Sequence, residues 1–364
     1  RQSNVDRIVG KQKSPLENLV AMILITGGSG YLAGIISSYF INYGFKVKKF
    51  SFLFGTRWED SNIEVNQLAT NDFNTKRYNN FFPSAFVTYE FANQTSASIS
   101  YSKRLQRPRG RQLNPFNNLS SNVNIFVGNP DLNPSFTDAI DLSYLKKWSN
   151  LTLSTSMYGN RTTDAIQYVR SESGDFQNGV PIILSSPINL ATEYRGGFEF
   201  TLNYSPYKWW KLNSNFNFFY VETDGDFNYI DFNGNPVSQN FDNSATSWFT
   251  RLTSKITLPY KIDWQTNGTY NAGQKTAQGK TIGIASMNLA FSKDVFKDKA
   301  TISFNVNDVF NSRKRIQDLR LPTVNSYSEM QWRVRQITVS FTYRFNKLKN
   351  EKEIKQKSLE QQEG

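Results

Sequence analysis

Residues 336–345 read QITVSFTYRF. Ile337, Val339, Phe341, Tyr343 and Phe345 share one side of an extended chain, and Gln336, Thr338, Ser340, Thr342 and Arg344 share the other. Successive side chains of a β-strand point to opposite faces, so the stretch reads as a strand with one apolar and one aqueous face.

The same period runs upstream to about residue 48. In FEFTLNY, Phe198, Phe200, Leu202 and Tyr204 alternate with Glu199, Thr201 and Asn203. In KLNSNFNFFY, Leu212, Phe216, Phe218 and Tyr220 alternate with Asn213, Asn215 and Asn217. TISFNVN sets Ile302, Phe304 and Val306 against Ser303 and Asn305, and SASISYSK sets Ala97, Ile99 and Tyr101 against serines. LTLSTSMY sets Leu151, Leu153 and Met157 against Thr152, Ser154 and Ser156. A soluble sandwich would carry charges on its outer faces. Ser, Thr and Asn suit the inside of a wide, water-filled barrel.

Composition agrees. Aromatic residues make up 15% of the 364 residues, yet only 38% are hydrophobic and mean hydropathy is −0.53. A disordered chain would be poor in aromatics, and a helical membrane protein would be more apolar. With no cysteine and no histidine, the chain has no thiol nucleophile, imidazole base, disulfide or zinc site built on those ligands. The formal charge of +12 solvates loops and suits anionic lipid headgroups. No basic helix, finger or RNP-like segment points to nucleic acid.

Connections alternate in length. Short ones fall at Asn93-Gln94, Trp148-Ser149-Asn150, Pro206-Tyr207-Lys208, Pro259-Tyr260-Lys261 and Lys297-Asp298-Lys299. Long ones are expected at 61–84, 106–135, 159–190, 223–243 and 309–330, with a shorter one at 273–280. Tight turns on one rim and long loops on the other belong to outer-membrane barrels. The expected fold is all-β: an antiparallel up-and-down transmembrane β-barrel present in part, with about 12–14 strands. The barrel is expected over 48–346, followed by a charged periplasmic tail at 347–364. Trp148, Tyr207, Trp209, Trp210, Tyr260 and Trp264 gather beside the short turns, as an interfacial girdle would or as ordinary core aromatics would.

Four segments resemble the C-terminal barrel of TonB-dependent outer-membrane receptors, within the outer-membrane β-barrel family. They are KFSFLFGTRWEDS (49–61), FFPSAFVTYEF with SASISYSKRLQRPRGRQLNPF (81–116), GNPDLNPSFTDAIDLSY (128–144), and the aromatic final strand. The resemblance covers about residues 48–350. It implies a non-enzymatic receptor, without a cofactor, for energy-coupled uptake of a solute such as a siderophore, glycan or peptide. Its implied partners are outer-membrane lipid, the TonB complex acting through a plug domain, a surface lipoprotein and the solute. Neither a plug domain, a TonB box nor a signal peptide is seen. The chain is therefore expected to be a fragment that begins inside the barrel. A structural or adhesive outer-membrane barrel is an alternative.

Residues 23–34, ILITGGSGYLAG, admit three readings. MILITGGSGYLAGIISSYFINYGFKV (22–47) resembles the opening βα unit of extended short-chain dehydrogenases and epimerases, whose glycine turn, here Gly27, Gly28 and Gly30, would cradle the pyrophosphate of NAD. The uncharged stretch from 18 to 45 is also long enough for a membrane helix. The third reading is LVAMILIT and YLAGIISSYF as barrel strands, with a turn through Asn42-Tyr43-Gly44. Residues 1–21 read as a polar linker. In the expected external loops, Asp164, Asp175, Asp224, Asp226 and Asp231 either contact a cationic or metal-chelate ligand or serve as solvated loop acids. No catalytic residue and no metal site is assigned.

Overall fold

The computed structural model describes residues 17–27, 30–67, 72–115, 121–230, 234–321 and 324–345. Among them, fourteen strands follow one another in a single antiparallel sheet. In chain order these are β1 (Glu17–Gly27), β2 (Gly30–Val47), β3 (Phe50–Gln67), β4 (Asp72–Glu90) and β5 (Thr95–Gln106). They continue as β6 (Ser135–Lys147), β7 (Leu151–Gln177), β8 (Val180–Tyr207), β9 (Trp210–Asp224) and β10 (Asn243–Leu258). The last four are β11 (Ile262–Asn271), β12 (Ile284–Val295), β13 (Ala300–Asn307) and β14 (Gln336–Tyr343). Among the described residues the sheet is open between β1 and β14.

Register turns the sequence alternation into two continuous surfaces. One runs through the cross-strand partners Phe45–Phe52–Val87–Ile99–Leu142–Met157–Phe198–Phe218–Trp248. It resumes as Ile256–Trp264–Phe291–Phe304–Val339. These side chains face outward: Met157 is 62% exposed and Leu142 53%. The opposite face carries small polar residues bonded to one another across the strands. Asn215 Nδ2 donates to Thr201 Oγ1 at 3.0 Å, Asn267 Nδ2 to Thr253 Oγ1 at 2.7 Å, and the Ser303 and Ser340 hydroxyls are 2.7 Å apart. Hydrocarbon cannot satisfy such groups, and a wet lumen can.

Two aromatic belts bound the apolar band. One lies at the short turns, where Trp148, Tyr207, Trp209 and Tyr260 are exposed and the Tyr207 and Trp209 rings stack at 5.2 Å. The other includes Tyr39 and Trp58, 5.6 Å apart, and Trp248 and Tyr270, 4.7 Å apart. Within β8, Tyr204 and Tyr194 mark the two belts on the same face. Ten residue steps are about 33 Å along a strand, or about 25 Å across a bilayer at roughly 40° of tilt, which matches the apolar height of a membrane barrel.

Several expectations change. Residues 17–21, read as the end of a linker, lie in β1. Residues 22–27 and 30–47 lie in two antiparallel strands in which Gly27 pairs with Gly30, so among the described residues no helix follows the glycines and no βα unit forms. Gly28 lies outside the described residues. Among the described residues no helix is long and apolar enough to cross a membrane. The turn expected at Asn42-Tyr43-Gly44 is absent. β2 runs on to Val47 because Tyr43 and Phe45 continue the apolar face against Phe54 and Phe52, and the chain reverses at Lys48-Lys49. Much of the expected loops at 61–84 and 159–190 is strand: β3 and β4 pair out to Gln67 and Asp72, and β7 and β8 out to Gln177 and Val180. Residues 1–16 and the tail at 347–364 lie outside the described residues.

Candidate functional site

Beyond the second aromatic belt the chain builds an ordered layer on the long-loop rim. The upper halves of β7 and β8 form its backbone. Four short strands, Gln274–Thr276, Gly279–Thr281, Arg315–Arg320 and Asn325–Met330, form a separate sheet. The connection from β5 to β6 carries a single helical turn, α1 (Gly110–Leu113), and a strand, Asn124–Phe126, that pairs in parallel with Ile183–Ser185 of β8.

Buried polar contacts join these pieces. The Gln278 side chain, 4% exposed, donates from Nε2 to the Arg170 carbonyl at 2.8 Å and accepts the Arg170 N–H at 3.0 Å. It thereby replaces two ladder bonds and holds the short sheet to β7. Ile183 of β8 packs with Leu319, Leu321 and Val324 at the same junction. Gln112 Nε2 donates to the Tyr168 hydroxyl at 2.9 Å, and the Arg111 guanidinium lies 4.7 Å from the centre of the Phe126 ring. Lower down, Arg107 reaches Glu59 at 2.5 Å and Ser61 at 2.7 Å, both on the lumen-side positions of β3. Lys76 Nζ donates to the carbonyl of Leu132, which is 1% exposed. Gly128 is required by close approach, since a Cβ there would strike the carbonyls of Asn114 and Gln112.

After β13, Asp308 organises the next turn. Its carboxylate accepts the Ser312 and Arg313 N–H groups at 3.0 and 2.9 Å, and its own N–H donates to Asn288 Oδ1 at 2.9 Å. Burial alone raises its pKa. The N–H groups of Arg313 and Ser312, the Ser312 hydroxyl and the Arg313 charge outweigh that, so the carboxyl lies below its ordinary value.

Of the acids singled out in the sequence, Asp224 and Asp226 lie together, and Asp164 and Asp175 stand apart along β7. Asp164 sits at a bulge with φ 53°, and its carbonyl accepts from Ser135 Oγ and Asn189 Nδ2, each at 2.8 Å. Asp175 lies near the far end of β7. Asp224 ends β9, and Asp226 opens a hairpin of Asp226–Ile230 with Pro236–Asn240, where Asn240 bridges Asp226 and Asp242 at 3.0 Å each. Asp231 lies outside the described residues. Among the described residues no group of three or more acids is arranged to hold a metal ion. Gln278, Arg170 and Asp308 escaped sequence reasoning. Only Asp308 carried a local signal, an acid ahead of Asn311 and Ser312 in a turn composition.

The chain matches the model of the outer membrane protein beta-barrel family over residues 32–343. No curated protein matches it in sequence. Among solved structures it resembles the siderophore receptor PiuA from Acinetobacter baumannii at TM-score 0.62 and 12% identity, covering 86% of this chain and 44% of that one. It resembles the ferric yersiniabactin uptake receptor FyuA from Yersinia pestis at TM-score 0.55 and 11% identity, covering 86% and 46%. The ferric-catecholate import receptor Fiu from E. coli K12 gives TM-score 0.55 and 12% identity, covering 86% and 45%. The chain thus spans less than half the length of these structures. An apolar outer band, a polar inner face and a family match over most of the chain agree: it belongs to the outer membrane protein beta-barrel family.

Proposed function

We propose that the chain is the barrel portion of a non-enzymatic outer-membrane receptor for energy-coupled uptake of a solute. The observation that carries this is the ordered layer over a polar lumen. A barrel that served only as a wall would need no stapled surface on one rim, whereas a receptor must present a preformed face to a dilute solute. The likeness to siderophore and ferric-chelate receptors supports the same reading. In it the short-turn rim and the C-terminus are periplasmic and the layered rim faces outward. Coupling would run through a plug domain to the TonB complex, and a surface lipoprotein is a further partner. Asp164, Asp175, Asp224, Asp226 and Asp231 act in this reading as solvated acids of the long-loop rim.

The test is loss of growth in a strain lacking the gene, across scarce ferric chelates, oligosaccharides and peptides. Loss on one class, reproduced in the parent by dissipating the proton gradient, is the expected result. Normal growth on every class would refute uptake. Recovery of the chain in aqueous solution without detergent would refute the barrel itself.

A further inference from the structure

The layer on the long-loop rim holds a guanidinium in an unusual setting. Tyr168, Arg170 and Glu172 share a face of β7, with Ser185 opposite Arg170 and the buried Ile183 opposite Glu172. That face meets Arg315, Gln317 and Leu319, which share a face of the strand Arg315–Arg320. Arg170 Nη2 donates to Gln317 Oε1 at 3.4 Å, and Arg315 stands two residues from Gln317 on the same side. One guanidinium therefore reaches this neutral amide, and a second rises from the same face of the neighbouring strand.

Among the described residues neither has a carboxylate within 4.0 Å. Nearby acids are engaged elsewhere. Glu329 pairs with Lys314 at 2.7 Å, and Asp318 pairs with Lys280 and Arg320. Glu172 makes no ion pair with a described residue. Burial first, and the Arg315 charge second, lower the Arg170 pKa, yet a guanidinium stays charged at any physiological pH. The backbone of Arg170 is clamped by Gln278, which fixes where its side chain leaves β7, and its guanidinium is held by Gln317. Arg170 is half-buried and Arg315 exposed; two like charges on facing surfaces with no carboxylate within 4.0 Å of either are relieved when an anion joins them. The planar forks suit a bidentate oxyanion.

We propose that Arg170 and Arg315, with the Gln317 amide that Arg170 touches, bind a carboxylate or phosphate group carried by the solute that the receptor takes up. This deepens the transport reading and rests on it for the identity of the carrier. The anion-binding geometry itself does not. Arg111, over Phe126 beside Tyr168, lies along the same surface and would extend the site toward a larger anion.

The full chain, in detergent micelles free of lipopolysaccharide, is titrated with citrate and with pyrophosphate. Saturable binding of at least one, weakened about tenfold or more in Arg170→Gln/Arg315→Gln and unchanged in the exposed Arg333→Gln, is expected. Unaltered binding in the double variant, or no binding of either probe to the parent, would overturn the site. Arginine-dependent binding seen only with vesicles containing lipopolysaccharide would assign it to a lipid headgroup and overturn the solute version. Arg315→Gln supplies a control for folding. In anion-free buffer it should slow proteolytic opening of the layer, because one of two like charges is gone. Faster opening would refute the premise. Uptake that persists in a folded double variant would reject the site and leave transport standing. Arginine-dependent anion binding without any uptake would do the reverse.

Discussion

Gln278 shows how one side chain can hold two parts of a fold. Its amide satisfies both backbone groups of Arg170, far away in sequence. Gln278→Ala would leave a buried N–H and a buried C=O unpaired, at about 1–3 kcal/mol each. Amide exchange at Arg170 and across residues 315–320 should accelerate while the melting of the barrel strands stays put. Asp308 gives a pH-dependent counterpart. A carboxyl with a depressed folded pKa contributes stability that is complete above its unfolded value of about 3.9 and is lost as pH falls through the folded value. The turn at 308–313 should therefore open on acidification below about pH 4, read by exchange of the Ser312 and Arg313 amides. Asp308→Asn should remove that dependence.

At the scale of elements, the membrane strands and the outer hairpins obey different rules. Met157 and Ser156 are neighbours at one depth of β7, and they face opposite sides. Met157 pairs with Leu142 and Phe198 on the apolar band, while Ser156 Oγ donates to Glu199 at 3.0 Å. Met157→Arg should destabilise the folded barrel by about 2–4 kcal/mol in lipid, and Ser156→Arg by much less. Urea unfolding in vesicles compares the two, and equal effects would contradict the assignment of faces. The β7–β8 hairpin closes through Asn178 at φ 52° and Gly179 at φ 79°, the left-handed pair of a type I′ turn. Gly179→Val should fray the tip at a cost of about 1–3 kcal/mol, seen as faster exchange near Phe176 and Val180 with the barrel unaffected.

For the whole molecule, the belts set the depth of insertion. Trp148 and Trp209 flank short turns, while Trp58 and Trp248 lie in the opposite belt. Single-tryptophan forms in vesicles should therefore be quenched more strongly by lipids brominated near the headgroup than by those brominated near the chain ends. Preferential quenching by mid-bilayer bromines at all four positions would displace the proposed band.

The sequence alone determined the barrel. A strand in lipid must present apolar side chains outward and polar ones inward at every second residue. That constraint is local, so QITVSFTYRF, FEFTLNY and KLNSNFNFFY state it outright. Short turns and their aromatics were legible for the same reason. The layer above the membrane was not. Water surrounds its strands, so no alternation marks them, and residues 159–190 read as loop despite the Asn178-Gly179 turn signal. Even for residues 22–47 the glycines admitted a strand, a helix or a βα unit, and pairing with β3 decided among them. The contact of Arg170 with Gln317, and the clamp by Gln278, join residues more than a hundred positions apart. Only the tertiary structure brings them together, because contacts between distant segments leave no periodic trace in a single chain.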